Sequence, residues 1–271
     1  MLLVRIVDQK CCLDMTKLNS ISIIFLCDNC GTKKSIRYRT FFEDSKLTLL
    51  ELVRIVFYYF IEQKTLREVT TELKISKGTL IKINRQLQEL ISQYIQATYI
   101  DHQLGEITVA VDDGENENGI VDIDETLFCH LGRIQIWVFG LVDRVTKEFR
   151  AFVVQDRTAD TLIPIIRENV RIGAIIYSDG WRSYSGLGGL GYDHRVVIHD
   201  QGFGQGQDTT NSIESCWSHL KRVTRQSSGI QPGNEDPWTR VQEIVDEGIW
   251  RMKFYPENLK DELIHIINTF Y

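Results

Sequence analysis

Between Ile120 and Thr126 the chain alternates: Val121 and Ile123 are apolar, and Asp122 and Asp124 between them are acidic. Successive side chains of a strand point to opposite faces, so this run predicts a core strand that ends in a carboxylate. Two β-rich runs follow, Ile134 to Val142 and Phe149 to Val154, separated by a turn at Asp143-Arg144-Val145-Thr146. Three strands in succession predict an antiparallel meander. From Thr158 to Val170 the apolar period becomes helical, with Leu162, Ile165 and Ile166 inward. A strand over Ala174 to Tyr177, which runs into Ser178-Asp179-Gly180, another over Arg195 to Ile198, a Gly-rich loop from Gln201 to Gln207 and a helix from near Asn211 complete this body.

The front half is helical. Leu49, Leu52, Val53, Val56 and Phe60 share one side of a helix expected from Leu47 to about Phe60. Thr65 followed by Glu68 is a capping-box signature for a second helix, Thr65 to Leu73. The turn Lys74-Ile75-Ser76-Lys77 leads to a third, from Gly78 or Thr79 to about Ile95. Helix, tight turn, helix is the outline of a DNA-reading helix-turn-helix, with Lys77, Thr79, Lys82 and Arg85 at the end that enters the groove. Three amphipathic helices also make a plain packing or dimerisation bundle, and the sequence alone leaves both readings open. Behind the front half, the order β, β, β, α, β, α, β, α predicts an α/β fold with a mixed sheet flanked by helices, the ribonuclease H-like arrangement.

Charge sharpens this division. The whole chain of 271 residues carries a net charge of -6, but residues 1–100 hold 15 Lys and Arg against 10 Asp and Glu, +5, leaving 16 against 27, -11. A basic front that touches phosphate and an acidic body that binds metal fit this asymmetry, as do chance variation and solvated faces. With 43% hydrophobic residues and 4 prolines the composition is that of an ordinary folded chain. The apolar stretches are too short or interrupted for a membrane span, and neither a signal peptide nor an anchor is expected.

Four of the six cysteines precede residue 31. Cys27-Asp28-Asn29-Cys30 has zinc-knuckle spacing, but its partner pair, Cys11 and Cys12, is adjacent rather than two apart. A structural zinc on Cys27 and Cys30, the remains of such a site, and buried apolar thiols are the readings left. Lys33, Lys34, Arg37 and Arg39 follow as a basic turn, either solvated or against phosphate. Residues 101–119 read as an acidic linker, with Asp112 and Asp113 as weak metal-ligand candidates, and His199 as a loop residue near substrate or in a structural hydrogen bond. Gly186-Leu187-Gly188-Gly189-Leu190-Gly191 spells a dinucleotide fingerprint, but no strand immediately precedes it, so nucleotide binding is rejected.

Phosphodiester cleavage needs an activated hydroxyl and a stabilised leaving oxygen, which two divalent ions about 4 Å apart can supply. Magnesium or manganese would need converging carboxylates. Asp124, Asp179 and Glu214 meet that need if the two strands lie side by side and the last helix crosses their ends. Glu214 also reads as the closing acid of a capping box begun by Asn211. On this helix Glu214, Ser218, Lys221 and Arg225 share one face, suited to a DNA backbone or to an exposed salt-bridged surface, while Ile213, Trp217 and Leu220 share the other.

The phrases Val121-Asp122-Ile123-Asp124-Glu125-Thr126, Ser178-Asp179-Gly180-Trp181-Arg182-Ser183-Tyr184 and Thr210-Asn211-Ser212-Ile213-Glu214-Ser215-Cys216-Trp217 together resemble the Merlin and IS1016 group of transposases, related to the ISXO2-like domain. Trp137-Val138-Phe139-Gly140, Asp156-Arg157-Thr158-Ala159 and Val245 to Arg251 are similar to it as well. The resemblance implies a cut-and-paste DNA transposase with a ribonuclease H-like catalytic domain, a catalytic and metal-binding triad on Asp124, Asp179 and Glu214, and a four-cysteine zinc ribbon in front. The malformed first cysteine pair departs from that pattern and leaves a degenerate or truncated start. The partners implied are double-stranded DNA, as terminal inverted repeats and target, and a second copy or higher synaptic assembly, with no membrane. The place of action would be the nucleus, or the cytoplasm of a bacterium. A catalytically silent DNA-binding descendant and a nuclease without strand transfer are the rivals. The expected division is a degenerate zinc-ribbon-like segment at 1–40, a helix-turn-helix-like module at 41–100, the acidic linker at 101–119, the catalytic domain at 120–252 and a C-terminal helix at 253–271.

Overall fold

The computed structural model describes residues 13–19, 22–27, 32–35, 37–38, 42–43, 45–106, 108–109, 116–117, 119–197, 211–224, 236–254 and 258–270. The chain forms two compact units, Met1–Asn84 with Glu257–Tyr271, and Arg85–Pro256. Among the described residues, no helix is long and apolar enough to cross a membrane.

The first unit opens with an antiparallel sheet of β1 (Leu13–Asn19), β2 (Ser22–Cys27) and β3 (Lys33–Ser35). Helix α1 (Leu49–Val56) runs on through a π-helical turn, Phe57–Ile61. Its start lies two residues later than the apolar period suggests because Thr48 caps it, with Glu51 closing a capping box. The expected Thr65–Glu68 box is present and starts α2 (Leu66–Leu73). Lys74, left-handed at φ 53°, ends that helix. The Ser76 hydroxyl then accepts the Thr79 amide at 3.0 Å and opens α3 (Lys77–Ile100), which runs a turn past the expected Ile95. Leu52, Ile55, Phe60, Val69 and Leu80 are buried, so the apolar faces of these helices do pack.

The unit boundary falls inside α3, between Asn84 and Arg85. In the second unit a two-residue pair, β4 (Thr108–Val109) and β5 (Asn116–Glu117), precedes a five-stranded sheet. Its strands are β6 (Ile120–Leu131), β7 (Ile134–Asp143), β8 (Phe149–Val154), β9 (Ile175–Ser178) and β10 (Asp193–Val196), in the order β10-β9-β6-β7-β8. The first three form the expected antiparallel meander, and β9 and β10 add in parallel on the other side of β6. Helix α4 (Ala159–Asn169) connects the two halves, while α5 (Asn211–Thr224) and α6 (Pro237–Phe254) follow the sheet.

Alternation along β6 divides the packing. Val121 and Ile123 join Phe139, Leu141, Leu162 and Ile166 in the core under α4. The opposite face meets α5 through Trp217 and Lys221.

Three expectations need correction. No α-helix lies between β9 and β10: two 3₁₀ turns, Arg182–Tyr184 and Gly188–Leu190, stand there instead. Gly186, Gly188, Gly189 and Gly191 explain this, since glycine in a helix interior costs up to about 1 kcal/mol each. The start of the expected linker is packed: Leu104 is 2% exposed and forms a parallel bridge with Val170. Third, β6 does not end at its carboxylate but continues to Leu131.

Candidate acidic active site

The position of Asp124 follows from unequal strand lengths. β9 pairs with β6 only over Ile120 to Asp122 and stops at Ser178, while β6 continues against β7. Asp124 therefore lies where its parallel neighbour has just ended, and Asp179 is the first residue past that end. Asp179 Oδ1 accepts the Trp181 backbone N–H at 3.0 Å, which fixes the turn.

Helix α5 brings the third acid. Glu214 lies in its first turn on the exposed side, and Ile213, Trp217 and Leu220 are buried, the face division that the sequence predicts. Trp217 donates its Nε1–H to Asp124 Oδ2 at 3.0 Å. Its ring lies on Gly140, which pairs with Asp124 across the β6–β7 ladder. One turn further along, Lys221 Nζ donates to Thr126 Oγ1 at 2.6 Å.

Burial holds the Asp124 carboxyl above the ordinary range; the Trp217 hydrogen bond and a backbone amide pull it down, and the charges of Asp179 and Glu214 push it up. On the other face of β6, Glu125 accepts the Tyr184 hydroxyl at 2.6 Å, and burial, opposed by that bond and reinforced by Asp124 and Asp179, pushes its carboxyl up to about 7. Burial and Glu125 together push the Tyr184 phenol far above its usual range.

Glu125, Tyr184, Trp217 as a donor, and His194 were not foreseen as parts of the site. His194 Nε2 pairs with Ser178 Oγ at 2.9 Å, and that hydroxyl donates to the Asp179 carbonyl at 2.6 Å; burial lowers the imidazole. Strand alternation could have put Glu125 opposite Asp124, but it could not have named Tyr184 as its partner.

Asp124 and Asp179 accept neutral N–H donors and form no ion pair among the described residues. Repelling carboxylate oxygens with no side-chain cation on these two suit a hard divalent ion. Among the described residues, however, no three His, Cys, Asp or Glu side chains stand close enough to hold a metal ion together. The donor chemistry fits; the side chains are not gathered into a ligand set.

Of the predicted DNA contacts, Lys77 and Lys82 are exposed and Arg85 is half-buried. The Thr79 hydroxyl is engaged with Ser76 Oγ at 2.8 Å. Cys11, Cys12, Cys30, Arg39, Asp112, Asp113, His199 and Arg225 lie outside the described residues, as does everything but the backbone strand at Cys27.

Residues 130–228 match the model of the ISXO2-like transposase domain, a span that includes Asp179 and Glu214 and begins after Asp124. An uncharacterized transposase-like protein of Haemophilus influenzae is 36% identical over 78 residues, 29% of this chain and 63% of that one. The chain thus spans about 63% of the length of the curated relative it matches. Among solved structures, a simian T-cell lymphotropic virus intasome is similar at TM-score 0.39 and 14% identity, covering 74% of this chain and 69% of that one. The BIV integrase catalytic core is similar at 0.35 and 13%, covering 49% and 81%. The HTLV-2 integrase catalytic core in complex with magnesium is similar at 0.35 and 10%, covering 49% and 83%. The domain match, over a segment that holds Asp179 and Glu214 but not Asp124, and the similarity to the Haemophilus protein support a transposase family.

Proposed function

We propose that the chain is a DDE transposase of the Merlin and IS1016 type, which cuts DNA at terminal inverted repeats and joins the freed ends to target DNA. The observation that carries this is placement: parallel pairing of β6 with β9 sets Asp124 level with Asp179 just past the end of β9, and α5, bonded to Asp124 through Trp217, carries Glu214 in its first turn. The sheet order, meander then two parallel strands beyond β6, supports a ribonuclease H-like core.

Asp124, Asp179 and Glu214 would hold magnesium or manganese, which when bound supplies Lewis-acid activation of the attacking oxygen and stabilises the leaving one. The chain's own work is to position. Trp217 orients one oxygen of Asp124, whose backbone the β6–β7 ladder holds, and the Trp181 amide orients Asp179. In the first unit, the exposed Lys77 and Lys82, with Thr79, would contact inverted-repeat DNA from the start of α3; in the second, Arg85 would do so from the same helix, and Lys221 and Arg225 would follow the backbone along α5. A homodimer or larger synaptic assembly would pair two ends. Nuclear action, or cytoplasmic action in a bacterium, belongs to the same proposal. No observation supports zinc on Cys27 and Cys30, and the reading does not include it.

The test is strand transfer by the full chain on the element's own labelled ends with magnesium or manganese. Asp124→Asn, Asp179→Asn and Glu214→Gln should each abolish joined product and leave end binding intact. Full joining by any of the three overturns the assignment. End binding with no cleavage by the unsubstituted chain would favour the catalytically silent reading, and hydrolysis without joining a plain nuclease.

A further inference from the structure

Past the turn that follows Asp179 opens a cleft of ≈ 690 Å³ whose walls include Arg157, Trp181, Arg182, Ser183 and Ser185. The Arg157 guanidinium lies between two indoles, 3.9 Å from the Trp137 ring centre and 4.3 Å from that of Trp181. The backbone fixes this stack: the Arg157 carbonyl accepts both Trp181 Nε1–H at 3.1 Å and Ser183 Oγ–H at 2.6 Å. Trp181 nevertheless stays 39% exposed, and Arg182 is exposed beside it. Neither arginine has a carboxylate in ion-pair contact among the described residues, in a chain that carries more acids than bases.

A large aromatic surface held rigid and left open, with two unpaired guanidinium groups and hydroxyls around it, asks for a ligand that is flat at one end and anionic at the other. An acidic peptide would use the arginines and leave the indole idle. Intact duplex would offer phosphates only, since its bases are stacked on each other. An unstacked nucleotide uses all of it, and the cleft volume lies within the range of small-ligand pockets. The Trp181 amide also holds Asp179, so whatever rests on the indole sits next to the acidic site.

We infer that this cleft is a subsite for one unstacked nucleotide of a DNA strand, its base against Trp181 and its phosphate on Arg157 and Arg182. The inference rests on the proposed function and adds to it how the strand beside the scissile phosphate is held. Arg157, stacked against two indoles, gives a preformed cation, and the exposed Arg182 gives a second.

The test is fluorescence anisotropy of the full chain with a short labelled thymidine oligonucleotide and an abasic strand of equal length, in chelator, so that no cleavage is needed. The unsubstituted chain should bind the base-bearing strand more tightly by on the order of tenfold. Trp181→Ala should erase that preference, Trp181→Phe should keep most of it, and Arg182→Ala should weaken both strands alike. If Trp181→Ala does not fold, Trp181→Leu, which keeps apolar bulk over Arg157 without a π face, takes its place. Equal binding of both strands by the unsubstituted chain, or a base preference that survives loss of the indole, overturns the inference. Strand joining without base preference would remove the cleft alone; base preference without joining would remove the transposase reading and leave the cleft.

Discussion

Gly140→Ala tests whether the site depends on a single close approach. A Cβ on Gly140 would lie 2.5 Å from both Cη2 and Cζ2 of Trp217 and 3.1 Å from Cε2 of Phe149. Carbon atoms at rest sit about 3.5–4.0 Å apart, so the indole must withdraw by about 1 Å. It has little room, being 5% exposed and packed edge-on against Phe149 at 5.3 Å. The Nε1 to Asp124 bond, 3.0 Å at rest, would stretch past hydrogen-bonding range. Overpacking costs about 1–3 kcal/mol and a lost bond to a charged, half-buried carboxylate about 1.5–3 kcal/mol. Because a yielding ring relieves part of the clash, about 2–4 kcal/mol in all is expected in urea unfolding, with strand transfer falling tenfold or more. Trp217→Phe removes the outer ring, so Gly140→Ala should cost at least about 1 kcal/mol less in that background. Additive costs, or an alanine tolerated with full activity, would show that Gly140 and Trp217 do not act on Asp124 together.

Other consequences follow from the same contacts. Tyr184→Phe takes the donor from Glu125, whose folded carboxyl sits at about 7 against an ordinary 4.5. Stability from that group is full below the unfolded value and declines as pH rises through the folded one, so the variant should lose more in urea at pH 8 than at pH 5; equal losses refute this. Asp246, buried among Ser92, Gln96 and Gln242 and raised by burial to about 7, should make the second unit lose up to about 1.4 kcal/mol per pH unit between roughly pH 4 and 7. Asp246→Asn should flatten that slope, measured by denaturation across this range. Thr65→Ala removes the hydroxyl that accepts the Glu68 amide, leaves the Thr65 backbone N–H on the Glu68 carboxylate, and should cost about 1 kcal/mol in urea unfolding, as should Thr48→Ala; a change within error at both would mean the helix starts do not depend on these hydroxyls.

Local patterns were legible and long-range ones were not. The meander, α4 and the buried face of α5 follow from apolar periods over short windows, and the Thr65 box from two residues three apart. Helix α6 escaped notice because Asp246, Glu247 and Arg251 are buried in it, where a polar residue normally marks a solvent face. Those groups are satisfied in part by partners far away in sequence: Asp246 takes Ser92 and Gln96 from α3, and Glu247 takes Gln88 from α3 besides Arg251 on its own helix. Arg150 is fully buried in the same manner, bonded to the Tyr99 carbonyl and to Asn169, partners that no short window of sequence contains. The three acids were legible as candidates because each sits in a short distinctive phrase. What holds them was not, because Trp217 looks like any core aromatic until its neighbour is known.

That neighbour relation has a metrical basis. Trp217 meets Asp124 and Lys221 meets Thr126, so four helical residues match two strand residues. Four residues of helix advance about 6.0 Å, and two of strand about 6.6 Å. Helix α5 and strand β6 therefore run in the same direction in near register, and each contact helps enforce the other. Glu214, three residues before Trp217, is thereby held about 4.5 Å back along the helix from the residue that bonds Asp124. A shift of α5 by one residue would turn each side chain about 100° and withdraw the indole from Asp124 and the ammonium from Thr126 at once. The placement of the third acid is thus set less by Glu214 itself than by the Trp217 and Lys221 contacts that fix the helix beneath it.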